Sequence, residues 1–303
     1  MRVIGVIEVI GRTVSGAAGR VLEKSAPCPG PPPTGNHGLV RPWEHGHSFH
    51  LESLPPSPQL ERVVDRHWIV RWDLRGREPF QQEVLPHPSV NLVIEPHGSW
   101  VWGVPTTRDV RLQGEGWAVG TKFKPGAFTA LTGIEASKIT DGRVSLEAAF
   151  GHDLNHREFD AARGALYAVV AEIEARLAPR ADVDDPDAAL VTEVIQSMRH
   201  VGPNTRVEHL AAMHHVAPRT LQRLFRRYVG VGPKWVLKRL RIHQATEQLT
   251  ATSPPPWTEL ALDLGYYDHA HFIRDFRLVV GRSPAEYAAE AARAREDENL
   301  GSG

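Results

Sequence analysis

The C-terminal third of this 303-residue sequence contains the same residue pattern twice, and this repeat restricts the fold more than any other feature. Each copy has a hexapeptide of mixed polarity, then a glycine, then a proline: 221–226, Gly230 and Pro233 in the first copy, and 272–277, Gly281 and Pro284 in the second. The offset between these positions is 51 residues. Such self-similarity indicates one structural unit used twice. Because the apolar residues recur at helical spacing, we expect two copies of a small all-helical unit.

The first copy predicts two helices separated by a tight turn. Thr205 and Glu208 have the spacing of a capping box, which would begin the first helix. The turn is expected at 215–216, and Pro218 suits the first position of the second helix, where its missing N–H is harmless. The apolar residues of that second helix share one face: Leu221, Leu224 and Phe225. Two short helices joined in this way make a helix-turn-helix.

The second copy repeats this plan with its own turn chemistry. Leu260 and Ala261 occupy the first helix, and Gly265 permits the tight turn that follows. Asp268 can cap the second helix, whose core-facing residues are Phe272 and Phe276. The sequence therefore predicts a tandem helix-turn-helix domain in which a helix over about 233–249 joins the two units.

The polar side chains of the two second helices have the chemistry of DNA recognition. A helix fits the major groove, where Arg pairs with guanine and Gln with adenine. The candidate base-reading residues are Arg219, Gln222, Arg223, His269, His271 and Arg274. The candidate phosphate contacts are Thr220, Arg226, Lys234, Lys238 and Arg277. If the linking helix is rigid, the two second helices enter successive major grooves about 34 Å apart.

The charge distribution is consistent with double-stranded DNA as the partner. The whole chain has a formal net charge of −1, but residues 203–283 hold 12 Lys/Arg against 6 Asp/Glu, a balance of +6 that leaves −7 for the remainder. A basic module attached to an acidic part is typical of nucleic-acid binders. A solvated basic helical face is the alternative explanation of the same balance.

The stretch from about 206 to 287 resembles the DNA-binding domain of the AraC/XylS transcription regulators. The resemblance is carried by segments 219–225, 239–242, 264–277 and 281–287. It implies that the base-reading positions of that family fall on the six candidates named above. Two positions depart from the family pattern. Ala217 lacks the side-chain cap that a Ser would provide, and Ala270 offers only a methyl contact to thymine.

The part of the chain before residue 178 predicts a strand-rich domain. Runs at 68–72, 90–94, 100–102, 106–112 and 117–123 are rich in β-branched and aromatic residues, with helices expected at 125–131 and 160–177. We expect an α+β chain with these parts: a disordered tail over 1–45, a sensor or dimerisation domain over 46–178, the tandem helix-turn-helix domain over 187–290, and a disordered tail over 291–303.

Segments 85–93 and 120–131 of the strand-rich part resemble an uncharacterised α+β domain that precedes such modules in some regulators. The resemblance implies a sensor or dimerisation role and names no ligand. The tryptophans of the predicted strands admit two interpretations, core packing or the lining of an apolar ligand pocket: Trp68, Trp72, Trp100 and Trp102.

Several other chemistries are poorly supported, and we expect neither a cofactor nor a metal. His45, His47 and Glu52 have a faint metal-binding spacing, but the glycine expected farther on is missing. The single cysteine, Cys28, excludes an intramolecular disulfide and has no supporting basic pocket. No apolar run approaches the roughly 18 residues that span a bilayer.

The sequence therefore indicates a cytoplasmic transcription regulator that is not an enzyme. Its expected partners are double-stranded DNA, a small-molecule effector, RNA polymerase and a second copy of the chain. Two alternatives stay open: an enzyme with an attached DNA-binding domain, and a non-specific architectural protein. Effector, operator and sign of regulation are not predicted.

Overall fold

The computed structural model describes residues 8–9, 40, 43, 49–106, 109–151, 163–200 and 205–301. Most of the expected tail over 1–45 lies outside these residues, as do Cys28, His45 and His47. Within the described ranges the chain is α+β, with a strand-rich N-terminal part and an all-helical C-terminal part, as predicted.

An antiparallel sheet of six strands forms the centre of the N-terminal part, in the order β2-β3-β8-β5-β6-β9. The strands are β2 (His50–Leu54), β3 (Val64–Leu74), β5 (Asn91–Glu95), β6 (Gly98–Trp102), β8 (Gly114–Phe123) and β9 (Arg143–Ser145). The predicted runs at 68–72, 100–102 and 117–123 lie in these strands, and the run at 90–94 does so from Asn91 onward. The edge strands β2 and β9 were not predicted, because neither has a β-branched or aromatic run of its own.

A smaller sheet has the order β1-β7-β4, formed by β1 (Glu8–Val9), β7 (Asp109–Leu112) and β4 (Phe80–Glu83). It packs against one end of the six-stranded sheet, where Leu112 and Phe80 meet Trp72 and Leu74 of β3. The side chains of β3 alternate between the two faces of the larger sheet, so one strand contributes to two different cores.

Three helices cover the other face of the six-stranded sheet: α1 (Ala127–Thr132), α2 (Leu146–Phe150) and α3 (Arg163–Leu177). Ile69 and Val119 of the sheet lie in one buried cluster with Val169 and Ile173 of α3. This cluster is the main core of the N-terminal part, and α1 and α3 lie in the segments predicted to be helical.

The C-terminal part consists of α4 (Pro186–Ser197), α5 (Val207–Met213), α6 (Pro218–Tyr228), α7 (Pro233–Leu249), α8 (Trp257–Asp263), α9 (His269–Val280) and α10 (Pro284–Gly301). Two buried clusters stabilise it, one around α4–α6 and one around α8–α10. The long helix α7 contributes Val236 and Leu240 to the first cluster, and Ile242 and Leu249 to the second.

Two segments expected to be tails have structure in the described ranges. Val40 is fully buried in the cluster around α8–α10, and the ring of Trp43 lies 5.6 Å from that of Tyr287. At the other end, α10 continues to Gly301 through residues expected to be disordered. The alanine-rich composition of 288–294 favours this continuation, since alanine has the highest helix propensity.

Among the described residues, none of the helices combines the length and the apolar character needed to cross a bilayer.

Candidate nucleic-acid interface

The two predicted turns have the same geometry. In the first unit the amide of Val216 donates to the carbonyl of Ala211 at 2.9 Å, and in the second the amide of Tyr266 donates to Ala261 at 3.0 Å. The residue before each donor has a positive φ, 53° at His215 and 81° at Gly265. The repeat seen in the sequence is therefore a repeat of backbone conformation.

The second helix of each unit begins differently. Asp268 caps α9, since its carboxylate accepts a hydrogen bond from the amide of His271 at 2.6 Å, as predicted. Ala217 precedes α6 without a side-chain cap, and Pro218 takes the first helical position. The predicted capping box at Thr205 is wrong: α5 begins at Val207 with no side-chain hydrogen bond at its N-cap.

Helix α6 divides cleanly into a buried and an exposed face. Its apolar face is buried in the first-unit core and consists of Leu221, Leu224, Phe225 and Tyr228. The side chains of Arg219, Gln222, Arg223 and Arg226 are exposed, and within the described residues none of the four has an ion-pair or hydrogen-bond partner. These donors are available to a partner outside the chain.

Helix α9 has fewer available donors. Phe272 and Phe276 are fully buried, and Arg274 is exposed with no partner in the described ranges. The exposed His269 lies with its Nε2 3.2 Å from the carbonyl of Thr258. His271 is also exposed, and its Nε2 lies 3.4 Å from Asp275. Both histidines therefore have contacts within their own unit that position their rings.

The predicted phosphate contacts fall into two groups. Lys234 is exposed at the start of α7, while Thr220 is only half-exposed on α6. Lys238 lies with its ammonium 2.6 Å from Oδ1 of Asp275, and Arg277 lies 3.8 Å from Glu286. The ammonium of Lys238 thus joins α7 to α9 in this structure.

Residues outside the predicted set attach both the N-cap of α4 and the N-terminal part to the end of α6. The hydroxyl of Tyr228 donates to the carboxylate of Asp185, the N-cap residue of α4, at 2.9 Å. The hydroxyls of Thr129 and Thr140 donate to the carbonyls of Arg227 at 3.2 Å and Gly230 at 3.1 Å. Sequence reasoning missed these contacts because they join residues 43 to 98 positions apart with no local pattern.

A second set of contacts reaches the other unit. Arg282, between α9 and α10, lies 2.5 Å from both Glu83 of β4 and Glu290 of α10. His243 of α7 stacks on His87 with ring centroids 4.1 Å apart, and its Nε2 lies 3.2 Å from the carbonyl of Pro86. The N-terminal part therefore contacts both helix-turn-helix units.

The four candidate pocket tryptophans have different environments. Trp72 is buried in the core between the two sheets, and its Nε1 donates to the carbonyl of Gln113 at 3.1 Å. Trp68, Trp100 and Trp102 remain partly exposed. Glu52, from the faint metal-binding spacing, accepts from Arg71 at 3.2 Å.

Comparison with known families accounts for both parts of the chain. Residues 210–290 match a family model described as a helix-turn-helix domain, and this range runs from α5 into α10, covering both units. The C-terminal part is an AraC-type helix-turn-helix domain. Residues 52–145 match a domain of unknown function, DUF6597, and this range extends from β2 to β9.

Individual relatives resemble the AraC-type domain in particular. An uncharacterized HTH-type transcriptional regulator of Haemophilus influenzae is 27% identical over 101 residues, 33% of this chain; the match spans about a third (34%) of that relative's length. The DNA-binding domain of AdpA, solved in complex with a target DNA, is 34% identical over 37% of this chain and 96% of that one, with a TM-score of 0.31. ToxT of Vibrio cholerae is 11% identical over 80% of this chain and 98% of its own, with a TM-score of 0.40.

Proposed function

We propose that this protein is a sequence-specific DNA-binding transcription regulator that reads two successive major grooves with α6 and α9. The observation that carries this proposal is the exposure of Arg219, Gln222 and Arg223 on α6 and of Arg274 on α9, on helices whose other face packs into a buried, mainly apolar core. Arginine and glutamine in this setting suit guanine and adenine edges.

The linking helix supports a fixed spacing between the two recognition helices. Because α7 packs into both cores, its 17 residues connect the units as one rigid element rather than as a flexible linker. A fixed spacing favours one long asymmetric site over two independently placed short ones. The exposed arginines and Lys234 would provide the phosphate neutralisation that makes binding depend steeply on salt.

The N-terminal part has contacts suited to regulating this binding. Its hydrogen bonds to Arg227 and Gly230 lie at the end of the first recognition helix, and its ion pair with Arg282 lies at the end of the second. A small molecule that shifts the N-terminal part would therefore change how α6 and α9 are positioned on DNA. Dimerisation and contact with RNA polymerase in the cytoplasm belong to the same proposal.

Selection of bound fragments from a random DNA pool, followed by binding titrations, tests the proposal. Arg223→Ala and Arg274→Ala should each weaken binding to the selected site by about 1–3 kcal/mol and relax base preference at one position. Arg75→Ala, at an exposed site in the N-terminal part, is the matched control and should leave DNA affinity unchanged. Equal affinity for selected and random DNA would favour an architectural protein and overturn the proposal.

A further inference from the structure

One face of the six-stranded sheet brings three tryptophans and a buried acid together. Strand register places Trp68 opposite Gly120, Gly120 opposite Val93, and Val93 opposite Trp100, so the four lie in one row on the same face. In the adjacent rows on that face, Glu95 is opposite Gly98, and Trp102 is opposite Arg143. We call this set the tryptophan face: Trp68, Val93, Glu95, Trp100, Trp102 and Gly120.

The indole rings lie across the backbone of neighbouring residues instead of projecting away from the sheet. A Cβ atom added at Gly120 would lie 2.0 Å from Cε2 of Trp68, and one added at Gly98 would lie 2.6 Å from Nε1 of Trp100. The missing side chains therefore leave room for flat rings. Both indoles remain partly exposed, so each offers an apolar surface to a molecule lying on the sheet.

Glu95 is the exceptional residue of this face. Glu95 is only 7% exposed, and its Oε1 has no hydrogen-bond partner among the described residues. Burial raises the pKa of this carboxyl to about 7, although the nearby Arg143 opposes the shift. A buried polar atom without a partner destabilises the fold, so such an atom requires an explanation. The indole Nε1 of Trp102 is likewise buried without an acceptor in the described ranges.

The chain's own arginine indicates what this face can hold. The guanidinium of Arg143, an exposed residue of the edge strand β9, lies 3.8 Å from the ring centroid of Trp100 and 4.8 Å from that of Trp102. Tryptophan faces attract cations, most strongly where water is excluded. In the structure the aromatic pair therefore already holds a positively charged group near the carboxyl of Glu95, whose Oε1 accepts no hydrogen bond from the described residues.

We propose that the tryptophan face is the effector site and that it takes an organic cation with an apolar body, such as an aryl-substituted amine. The ligand's ammonium group would donate to Oε1 of Glu95 and take the place of the Arg143 guanidinium on Trp100. Its apolar body would lie on the partly exposed indole of Trp68. This assignment rests on the proposed regulatory function for its biological meaning, but the binding itself does not require DNA.

The test measures binding to the full chain by tryptophan fluorescence and thermal shift, without DNA. Benzylamine is the cationic probe, and benzyl alcohol and benzoate are the neutral and anionic controls. We expect saturable binding of benzylamine, tighter at pH 8 than at pH 6 because Glu95 becomes charged, and no saturable binding of either control.

Variants with opposite expected effects complete the test. Glu95→Gln should weaken benzylamine binding about tenfold or more, since a charge-assisted hydrogen bond is lost. Arg143→Ala should tighten it, because the competing internal cation is removed. Glu147→Gln, at an exposed acid of α2, should change nothing.

Three results would overturn the proposal: absence of saturable benzylamine binding, equal binding of benzoate, or unchanged affinity in Arg143→Ala. The last result decides the matter even if Glu95→Gln fails to fold. Loss of cation binding with intact operator binding would refute the effector site alone. Cation binding without operator binding would refute the regulatory function alone.

Discussion

The ammonium of Lys238 lies 2.6 Å from Oδ1 of Asp275, so a lysine of the linking helix is paired with an acid on the second recognition helix. Asp275 is only 7% exposed, and His271 contacts its other oxygen at 3.4 Å. The pair orients α9 relative to α7, which also packs against α6. A carboxylate as buried as that of Asp275 destabilises the fold unless it is paired with a positive charge, so we expect the Lys238 ammonium to stabilise the folded state.

Replacement of Lys238 by Met should therefore lower the stability of the fold and leave the number of DNA phosphates that the protein contacts unchanged. We expect Lys238→Met to reduce the free energy of unfolding by about 1–3 kcal/mol, because buried Asp275 loses the lysine ammonium and keeps only its contacts with His271 and Tyr266. Lys234→Met should leave stability within about 0.5 kcal/mol of wild type and reduce the slope of log affinity against log salt by about 1. Urea denaturation and binding titrations at several salt concentrations measure both quantities. If Lys238→Met instead reduced the salt slope and left stability unchanged, Lys238 would be a phosphate contact and this prediction would be wrong.

The turn of the first unit should be improved by glycine. His215 has a φ of 53°, a left-handed conformation that costs a non-glycine residue about 1–2 kcal/mol, and its side chain is exposed. His215→Gly should stabilise the chain by about 0.5–1 kcal/mol after the entropy of glycine is included. Gly265→Ala, at the matching position of the second unit, should destabilise it. Denaturation midpoints of the two variants should shift in opposite directions; a shift of both in one direction would contradict this reading of the turns.

The hydroxyl of Thr140 should stabilise the contact between the N-terminal part and the end of the first recognition helix, α6. Thr140→Val keeps the shape of the side chain and removes the hydrogen bond to the carbonyl of Gly230. We expect a loss of about 1 kcal/mol and faster hydrogen exchange at the C-terminal end of α6. Thr132→Val is the control, since among the described residues its hydroxyl donates to the carbonyl of Phe128 in α1 and accepts from the amide of Ile134, with no contact to α6. Equal exchange at α6 in both variants would show that Thr140 does not connect the two parts.

The pKa of Glu95 predicts a loss of stability as pH rises. Burial raises this pKa from 4.5 to about 7, so the folded state prefers the protonated acid. The contribution is complete below about pH 4.5 and is lost as pH rises through about 7, because the fold must then bury a charge. Relative to Glu95→Gln, wild type should lose up to about 3 kcal/mol across this range. Thermal melts of both proteins from pH 4 to pH 8 measure the difference, and parallel curves would show that Glu95 is solvated.

Much of the interface could be predicted because its signals are local. The 51-residue repeat, the turn at Gly265 and the cap at Asp268 each depend on residues close together in the chain, and helical periodicity assigns Leu221, Leu224 and Phe225 to the buried face. The exposure of Arg219, Gln222 and Arg223 follows from the same periodicity. Which bases these side chains contact stays a prediction.

The partners of individual side chains were decided by tertiary structure alone. Helical periodicity assigns Lys238 to a face of α7. It gives no sign that Asp275, 37 positions later in the chain, lies beside it. The row that joins Trp68 to Trp100 depends on strand order and register, since one residue of slippage would move either indole to the opposite face of the sheet. Local sequence determined the helices, turns and exposed arginines of this protein. Only the packing of distant segments decided which charges are paired and why Oε1 of Glu95 has no hydrogen-bond partner among the described residues, because those contacts depend on strand register and helix docking.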